Sequence, residues 1–508
     1  MKQLFILLLL LTFTLIACDD GFEDDFSDSS DGDVIIDDDD DNFANETSSA
    51  EPVEVDYYET ACPIDPDTER DVDCGILVVP ENRAVNNGRI IDIAVAILHA
   101  ESDEPFADPI VFLTGGPGDG ALMDLALGAE SWEELELSKE RDIIFVDQRG
   151  TGFSQPFLDC PELEAEDAGP DAERDCQERL VEDGVDLTAY NTAENAADIA
   201  DLMSFLEIDS YNLFGVSYGT RLGLTIMRDH PAGIRSVVLD SPFPPNAKTP
   251  KEEAVAVWNS IQALFADCAA DPDCDDAFPN LEDDLIDAVI ALNEEPLDNL
   301  IGDDIVAVIE KMLFSGEEYG FMVPILIDEV VNEEYGRFEE LSEELLGFGA
   351  TLRQEGDEPN SSEGMYNSVI CRDEYGFASE EEAEDAIEAA IPEPLQAAMS
   401  LSTFQLYETC SFWGAGVADP VENEAVVSDI PTLVLTGEYD PATPPVWGEL
   451  TVETLSNGIH IDLPSSGHSV VTTVACAQTL TEAFVDDPDA ELDDGCVSEI
   501  PLPDFELP

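Results

Sequence analysis

The sequence predicts an α/β fold: a mostly parallel sheet with helices on both faces, joined by a helical cap domain. Three features point there. First, apolar runs of strand length recur, among them Pro109-Ile110-Val111-Phe112-Leu113, Ile143-Ile144-Phe145-Val146, Ser236-Val237-Val238-Leu239 and Leu433-Val434-Leu435-Thr436-Gly437. Such near-continuous runs suit strands buried on both faces. Second, the run Tyr211-Asn212-Leu213-Phe214 passes through Gly215-Val216-Ser217-Tyr218-Gly219 directly into a helical stretch over 220–227. Third, residues 246–429 show helical periodicity, as in 286–292 and 338–346, over an interval too long for a loop. Antiparallel strands are expected ahead of the parallel part, near 74–79 and 90–98, and a closing helix from about Val470 to Phe484. The domain plan is a signal segment at 1–18, an acidic tether at 19–55, a core made of 56–245 with 430–508, and a cap insertion at 246–429. That length is ample for one large core plus a cap.

The Gly-x-Ser-x-Gly turn has a chemical reading in this strand–turn–helix setting. The turn is too sharp for side chains beside the serine, so glycine fills both places and the Ser217 hydroxyl is left exposed at a strand end. A serine hydroxyl is a poor nucleophile alone and needs a base and an acid. The chain has four histidines. His99 lies in an apolar strand run and reads as a core residue, His230 precedes Pro231 at a helix end and reads as a cap, and His460 sits within the strand 459–463. His468 alone stands in a glycine-containing loop after a strand, Ser465-Ser466-Gly467-His468-Ser469. For the acid, Asp440 lies in Glu438-Tyr439-Asp440 at the carboxyl end of the run 433–437, while Asp240, at the end of 236–239, is the rival. The order Ser217, Asp440, His468 is that of an α/β-hydrolase triad. Ser217 would attack a carbonyl carbon, His468 would carry the proton, and Asp440 would orient and stabilise the imidazole.

A tetrahedral intermediate needs backbone amides aimed at its oxyanion. One is expected from Tyr218, which follows the nucleophile. The second is expected from Thr114-Gly115-Gly116-Pro117-Gly118, with Gly116 ahead of Gly115. Arg149, in Asp147-Gln148-Arg149-Gly150, reads as a brace whose five donors tie loops around the site.

Taken together, Gly115-Gly116-Pro117-Gly118, Asp147-Gln148-Arg149-Gly150-x-Gly152-x-Ser154, Gly215-x-Ser217-Tyr218-Gly219, Gly437-x-x-Asp440 and Gly467-His468 resemble the proline iminopeptidase and tripeptidyl aminopeptidase family of α/β-hydrolases, over roughly residues 57–500. Where the family pattern has His before the Gly-Gly-Pro-Gly run, this chain has Thr114. The resemblance implies a serine exopeptidase acting on peptides with free amino termini, without a cofactor or metal. It also implies a cap whose carboxylates hold the substrate's ammonium group. Glu374, with Asp373 behind it, is the candidate anchor.

The amino terminus carries Met1-Lys2-Gln3 and an apolar run from residue 4 to 16, which has signal-peptide form. Leu15-Ile16-Ala17-Cys18 resembles a bacterial lipobox, so Cys18 is the expected lipid attachment point and the membrane an expected partner. The Asp-rich segment that follows is self-repelling and poor in apolar groups, as a spacer would be. Eleven cysteines less Cys18 leave ten. Their spacing suggests consecutive disulfides Cys62–Cys74, Cys160–Cys176, Cys268–Cys274, Cys371–Cys410 and Cys476–Cys496, in a compartment outside the cytosol such as the periplasm or cell surface. The formal net charge of −99 argues against nucleic acid as a partner and looks like adaptation to high salt. Two other readings stand beside the exopeptidase: a carboxylesterase or lipase using the same triad, and a non-catalytic ligand-binding lipoprotein.

Overall fold

The computed structural model describes residues 55–85, 88–164, 168–297, 300–316, 319–346 and 361–508; the signal segment, Cys18 and the tether up to residue 54 lie outside them. Among the described residues one nine-stranded sheet runs β1 (Asp56–Thr60), β2 (Val72–Pro80), β3 (Ile90–Leu98), β5 (Ile143–Val146), β4 (Ile110–Leu113), β6 (Tyr211–Val216), β7 (Ile234–Asp240), β8 (Thr432–Gly437), β9 (Gly458–Leu463). β1, β2, β3 and β5 pair antiparallel in sequence along one edge. From β5 onward every pairing is parallel, which sets the carboxyl ends of β4, β6, β7, β8 and β9 along one side. The edge strand β1 has mostly exposed side chains and no strong apolar pattern.

Side chains alternate across the sheet as the two-residue period requires. In β4, Ile110 and Phe112 face one apolar layer, and Val111 and Leu113 face the other. All four are buried, so this strand is covered on both faces. On the first face Phe112, Trp132, Phe145 and Phe214 form a group of edge-on and tilted rings with centroids 4.7 to 6.2 Å apart. Each such contact adds about 0.5–1.5 kcal/mol beyond burial. This group floors the region below the Gly-Gly loop.

Helices α1 (Ala121–Glu134), α2 (Thr192–Phe205) and α3 (Tyr218–Asp229) flank the sheet. The segment between β7 and β8 is helical, with α4 (Thr249–Ala270), α5 (Leu281–Glu294), α6 (Gly302–Phe314), α7 (Val323–Val331), α8 (Glu363–Asp373), α9 (Glu380–Ala390) and α10 (Glu393–Trp413). It has its own apolar core, built on residues such as Trp258, Ile309, Leu326 and Leu395, but Tyr439 and Phe505 enter that core from outside. The described residues accordingly form one compact unit. The closing helix is not continuous: a short turn of helix, Val470–Thr473, is separated from α11 (Ala475–Asp486) by Val474 in an extended conformation.

Five disulfides, Cys62–Cys74, Cys160–Cys176, Cys268–Cys274, Cys371–Cys410 and Cys476–Cys496, close short loops. Such bonds persist in an oxidising compartment, and the chain is an extracytoplasmic one. Among the described residues no helix is long and apolar enough to cross a membrane.

Candidate active site

Ser217 sits between β6 and α3 with φ +55° and ψ −125°, a left-handed conformation costly for a residue with a side chain. The surroundings enforce it. A Cβ at Gly219 would stand 1.8 Å from the Leu113 carbonyl oxygen, and one at Gly215 would stand 2.5 Å from that of Gly219. Only glycine lets the strand, the helix and the neighbouring β4 end approach so closely. The Ser217 amide donates to the Asp240 carbonyl at 3.0 Å, tying the elbow to β7.

His468 and Asp440 come together across two loops at the carboxyl ends of β9 and β8. Nδ1 of His468 lies 2.7 Å from Oδ2 of Asp440. The carboxylate is then filled: the amides of Ala442 and Thr443 donate to Oδ1 at 2.9 Å each, and the Thr443 hydroxyl donates to Oδ2 at 2.6 Å. Burial works to raise the Asp440 carboxyl, but the His468 charge and these hydrogen bonds outweigh it and hold it below the usual range. Burial works to lower the His468 imidazole, yet the Asp440 charge and hydrogen bond leave it above its ordinary value.

The rival acid, Asp240, has a different task. It accepts the Val470 and Val471 amides at 3.0 and 2.9 Å, and so fixes the chain just past His468. Burial pushes its carboxyl up to about 6.

Ser217 and His468 both line a cavity of about 780 Å³. Among the described residues no hydrogen bond joins them; serine–histidine contacts in empty sites are often long and close only around substrate. Gly115 and Gly116 line the same cavity. A Cβ at Gly115 would lie 3.1 Å from the Ser217 Cβ, so this loop rests directly on Ser217. Gly116, with φ +100°, continues it. Gln148 Nε2 holds the loop through the Thr114 carbonyl at 3.1 Å. The Tyr218 amide opens α3, where the first-turn amides have no partner within the helix. Its side chain is fully buried, with the hydroxyl 2.9 Å from Thr192 Oγ1.

Arg149 is fully buried and donates to the Glu81 and Ala189 carbonyls at 2.6 and 2.7 Å and to both Asp198 oxygens at 2.9 Å, bracing loops at a distance from the cavity. Glu374 and Asp373, the expected amine anchor, do not line the cavity at Ser217. Glu374 is buried against the Arg221 guanidinium and accepts the Thr249 hydroxyl at 2.8 Å. Asp373 accepts the Thr192 amide and hydroxyl at 3.1 and 2.6 Å. Both fasten α8 to the helices behind the elbow. His99, expected in the core, lies just past β3, partly exposed, 3.2 Å from Asp142 and 2.9 Å from Asp73.

The cavity has carboxylates that the sequence reading passed over. Asp119, Asp124 and Glu134 line it, and among the described residues no lysine or arginine does. Asp124 accepts the Thr114 hydroxyl at 2.6 Å, and burial raises its carboxyl to about 6. Burial raises Asp119 as well, opposed by a hydrogen bond from Ser361. Their proximity to the glycine loop was a readable signal; among 117 acidic residues it carried little weight. Thr443 also had a signal, because an Asp followed by turn residues commonly binds the amides two and three positions on.

A serine on a strained elbow, a carboxylate-held imidazole and a glycine loop are the arrangement of a serine hydrolase. The model for the alpha/beta hydrolase fold matches residues 108–275, and the model for TAP-like proteins matches residues 397–496. Serine protease Hip1 of Mycobacterium tuberculosis is 24% identical over 418 residues, covering 73% of this chain and 76% of that protein. Tripeptidyl aminopeptidase of Streptomyces coelicolor is 26% identical over 204 residues, covering 36% of this chain and 38% of its own length. A probable proline iminopeptidase of Leptolyngbya boryana is 29% identical over 147 residues, with 29% and 35% covered. These similarities support an α/β-hydrolase fold and a serine peptidase or hydrolase.

Proposed function

We propose that this protein is a serine exopeptidase that releases amino-terminal residues or short peptides through an acyl-enzyme on Ser217. The observation that carries the reading is the shared cavity. It holds Ser217 and His468 beside carboxylates, with no lysine or arginine among the described lining residues, a setting suited to a substrate whose reacting carbonyl lies near a free ammonium group. His468 Nε2 takes the Ser217 proton as Oγ bonds to the scissile carbonyl carbon. Asp440 holds the imidazolium that results. The oxyanion is received by the amides of Gly116 and Tyr218. Collapse breaks the C–N bond, His468 gives its proton to the leaving amine, and water repeats the cycle to free the acyl group and restore Ser217. With Glu374 and Asp373 already occupied, the substrate ammonium is assigned to Asp119 and Asp124.

Aminoacyl and tripeptidyl reporter amides, each with a free or acetylated amine, compared with short-chain esters, test this. The expected result is hydrolysis of free-amine amides, loss on acetylation, and no activity in Ser217→Ala. Esters cleaved with indifference to the amine would favour the carboxylesterase, a reading to which the apolar wall of Phe112, Trp132, Phe214 and Leu135 gives some support.

The finer address is part of the proposal. Acylation of Cys18 would anchor the enzyme to a membrane, with the acidic segment as spacer, and Cys18→Ala should move it from the membrane fraction to the soluble one. The −99 formal charge is read as adaptation to high salt.

A further inference from the structure

The end of α6 meets a face of the imidazole whose edge, at Nδ1, is held by Asp440. The Phe314 ring stacks on the His468 ring with centroids 4.4 Å apart and planes 22° from parallel. The same residue's carbonyl accepts the His468 amide at 2.8 Å. One residue therefore grips His468 at both ring and backbone.

The backbone around this grip has no slack. A Cβ at Gly467 would stand 2.4 Å from the Leu313 carbonyl oxygen and 2.5 Å from that of Phe314, and one at Gly316 would stand 2.3 Å from the Gly467 nitrogen. On the other side, a Cβ at Gly437 would stand 1.9 Å from the Gly467 carbonyl oxygen. The loop carrying His468 is thus clamped between the end of β8 and the end of α6. The histidine cannot shift unless the helix shifts with it.

The Phe314 side chain is not needed by the helical core. That core takes Ile305, Val308, Ile309, Met312 and Leu313 of α6, all buried. Phe314 instead stays 39% exposed and lines the cavity beside Ser217. The Asp440 hydrogen bond sets the position of Nδ1 but leaves the ring free to tilt about that contact, which moves Nε2 relative to Ser217 Oγ. A flat ring stacked at 4.4 Å opposes that tilt.

We propose that Phe314 is a positioning residue: it sets the plane of the His468 ring, so that Nε2 faces Ser217, and it walls the acyl end of the cavity. This rests on the hydrolase reading of Ser217 and His468. The alignment of base and nucleophile is where a small displacement costs most in rate.

The test uses the full chain with Phe314→Ala, Phe314→Leu and Phe314→Tyr, two reporter substrates that share a leaving group but differ in acyl size, and a fluorophosphonate that labels an activated serine. Labelling of the wild type, lost in Ser217→Ala, checks the hydrolase reading by itself. Given labelling, Phe314→Ala is expected to lower kcat on both substrates by a common factor of about ten to a hundred, with a slower labelling rate and little change in KM for the small acyl group. Phe314→Tyr, which keeps a flat ring, should stay within about threefold of wild type, and Phe314→Leu should fall between. If Phe314→Ala does not fold, the Leu and Tyr variants decide. Wild-type kcat and labelling rate in Phe314→Leu or Phe314→Ala, or a loss confined to KM for the large acyl group, overturn the positioning role while leaving the hydrolase intact.

Discussion

Thr443 Oγ1 donates at 2.6 Å to Oδ2 of Asp440, the same oxygen that His468 Nδ1 approaches at 2.7 Å. The threonine hydroxyl therefore shares the orienting oxygen with the base. It lies 3.2 Å from Nδ1 as well, so it limits where both groups can move. Thr443→Val keeps the shape of the side chain and the Thr443 amide, and removes only the hydroxyl. A hydrogen bond to a charged group contributes about 1.5–3 kcal/mol, so kcat/KM should fall about 10- to 100-fold with modest change in melting temperature. Steady-state kinetics on a free-amine reporter amide checks it; an unchanged kcat/KM would remove Thr443 from the machinery.

The pH dependence follows from the two partners' opposite shifts. The proposed catalysis needs neutral His468 and ionised Asp440. The imidazole stands above its ordinary value and the carboxyl below its own. Activity should thus be low under acid conditions and rise with pH through an ionisation above about 6.5, the unperturbed histidine value. Asp440→Asn should cost about 10⁴ in kcat, as loss of the orienting carboxylate does in such triads. A rate profile already flat at pH 5.5 would contradict the assignment of His468 as the base.

Much of this site is legible in local sequence because its parts are local. The glycines around Ser217, the strand before Asp440 and the loop before His468 each declare themselves within a few residues. The parallel strands are equally plain, since burial on both faces leaves unbroken apolar runs. What stays hidden depends on distant packing or on a choice among many equivalents. Phe314 reaches His468 from a helix 154 positions earlier, and nothing in the residues around it tells which loop it will cover. Glu374 and Asp373 were two carboxylates among many, and only the fold reveals that Arg221 and Thr192 already hold them. The edge strand β1 escapes notice because its exposed face carries no apolar alternation.

That reassignment separates two effects. Glu374 is buried against Arg221. Glu374→Gln would leave a guanidinium uncompensated, at a cost of about 3–5 kcal/mol in stability, while the KM of folded enzyme for free-amine substrates should hardly move. Asp124→Asn should do the reverse: near-native stability and a several-fold higher KM for free-amine substrates. Chemical denaturation and KM, measured on both variants, decide the matter. A free-amine KM raised by the Glu374 change and untouched by the Asp124 change would restore the earlier anchor.

Salt and pH act on stability through two routes that can be told apart. The 117 acidic against 18 basic residues repel one another across the surface, and that repulsion is screened as the Debye length falls from about 10 Å at 0.1 M to about 3 Å at 1 M. The melting temperature should therefore rise with NaCl. Buried carboxyls respond to pH instead. Burial raises Asp147 to about 7 and Asp240 to about 6, against about 3.9 in an unfolded chain. Between those values the folded protein keeps protons that the unfolded chain has released, so their contribution is full below about pH 4 and is lost as pH climbs through 6 to 7. Asp440, shifted downward, acts in the opposite sense and only at more acid pH. Melting curves from pH 5 to 8 should slope downward at 0.1 M NaCl. At 2 M the surface part of that slope should vanish, leaving a smaller slope that Asp147→Asn reduces further. A melting temperature that is flat or falling with NaCl would sink the salt adaptation, whatever the pH slope does.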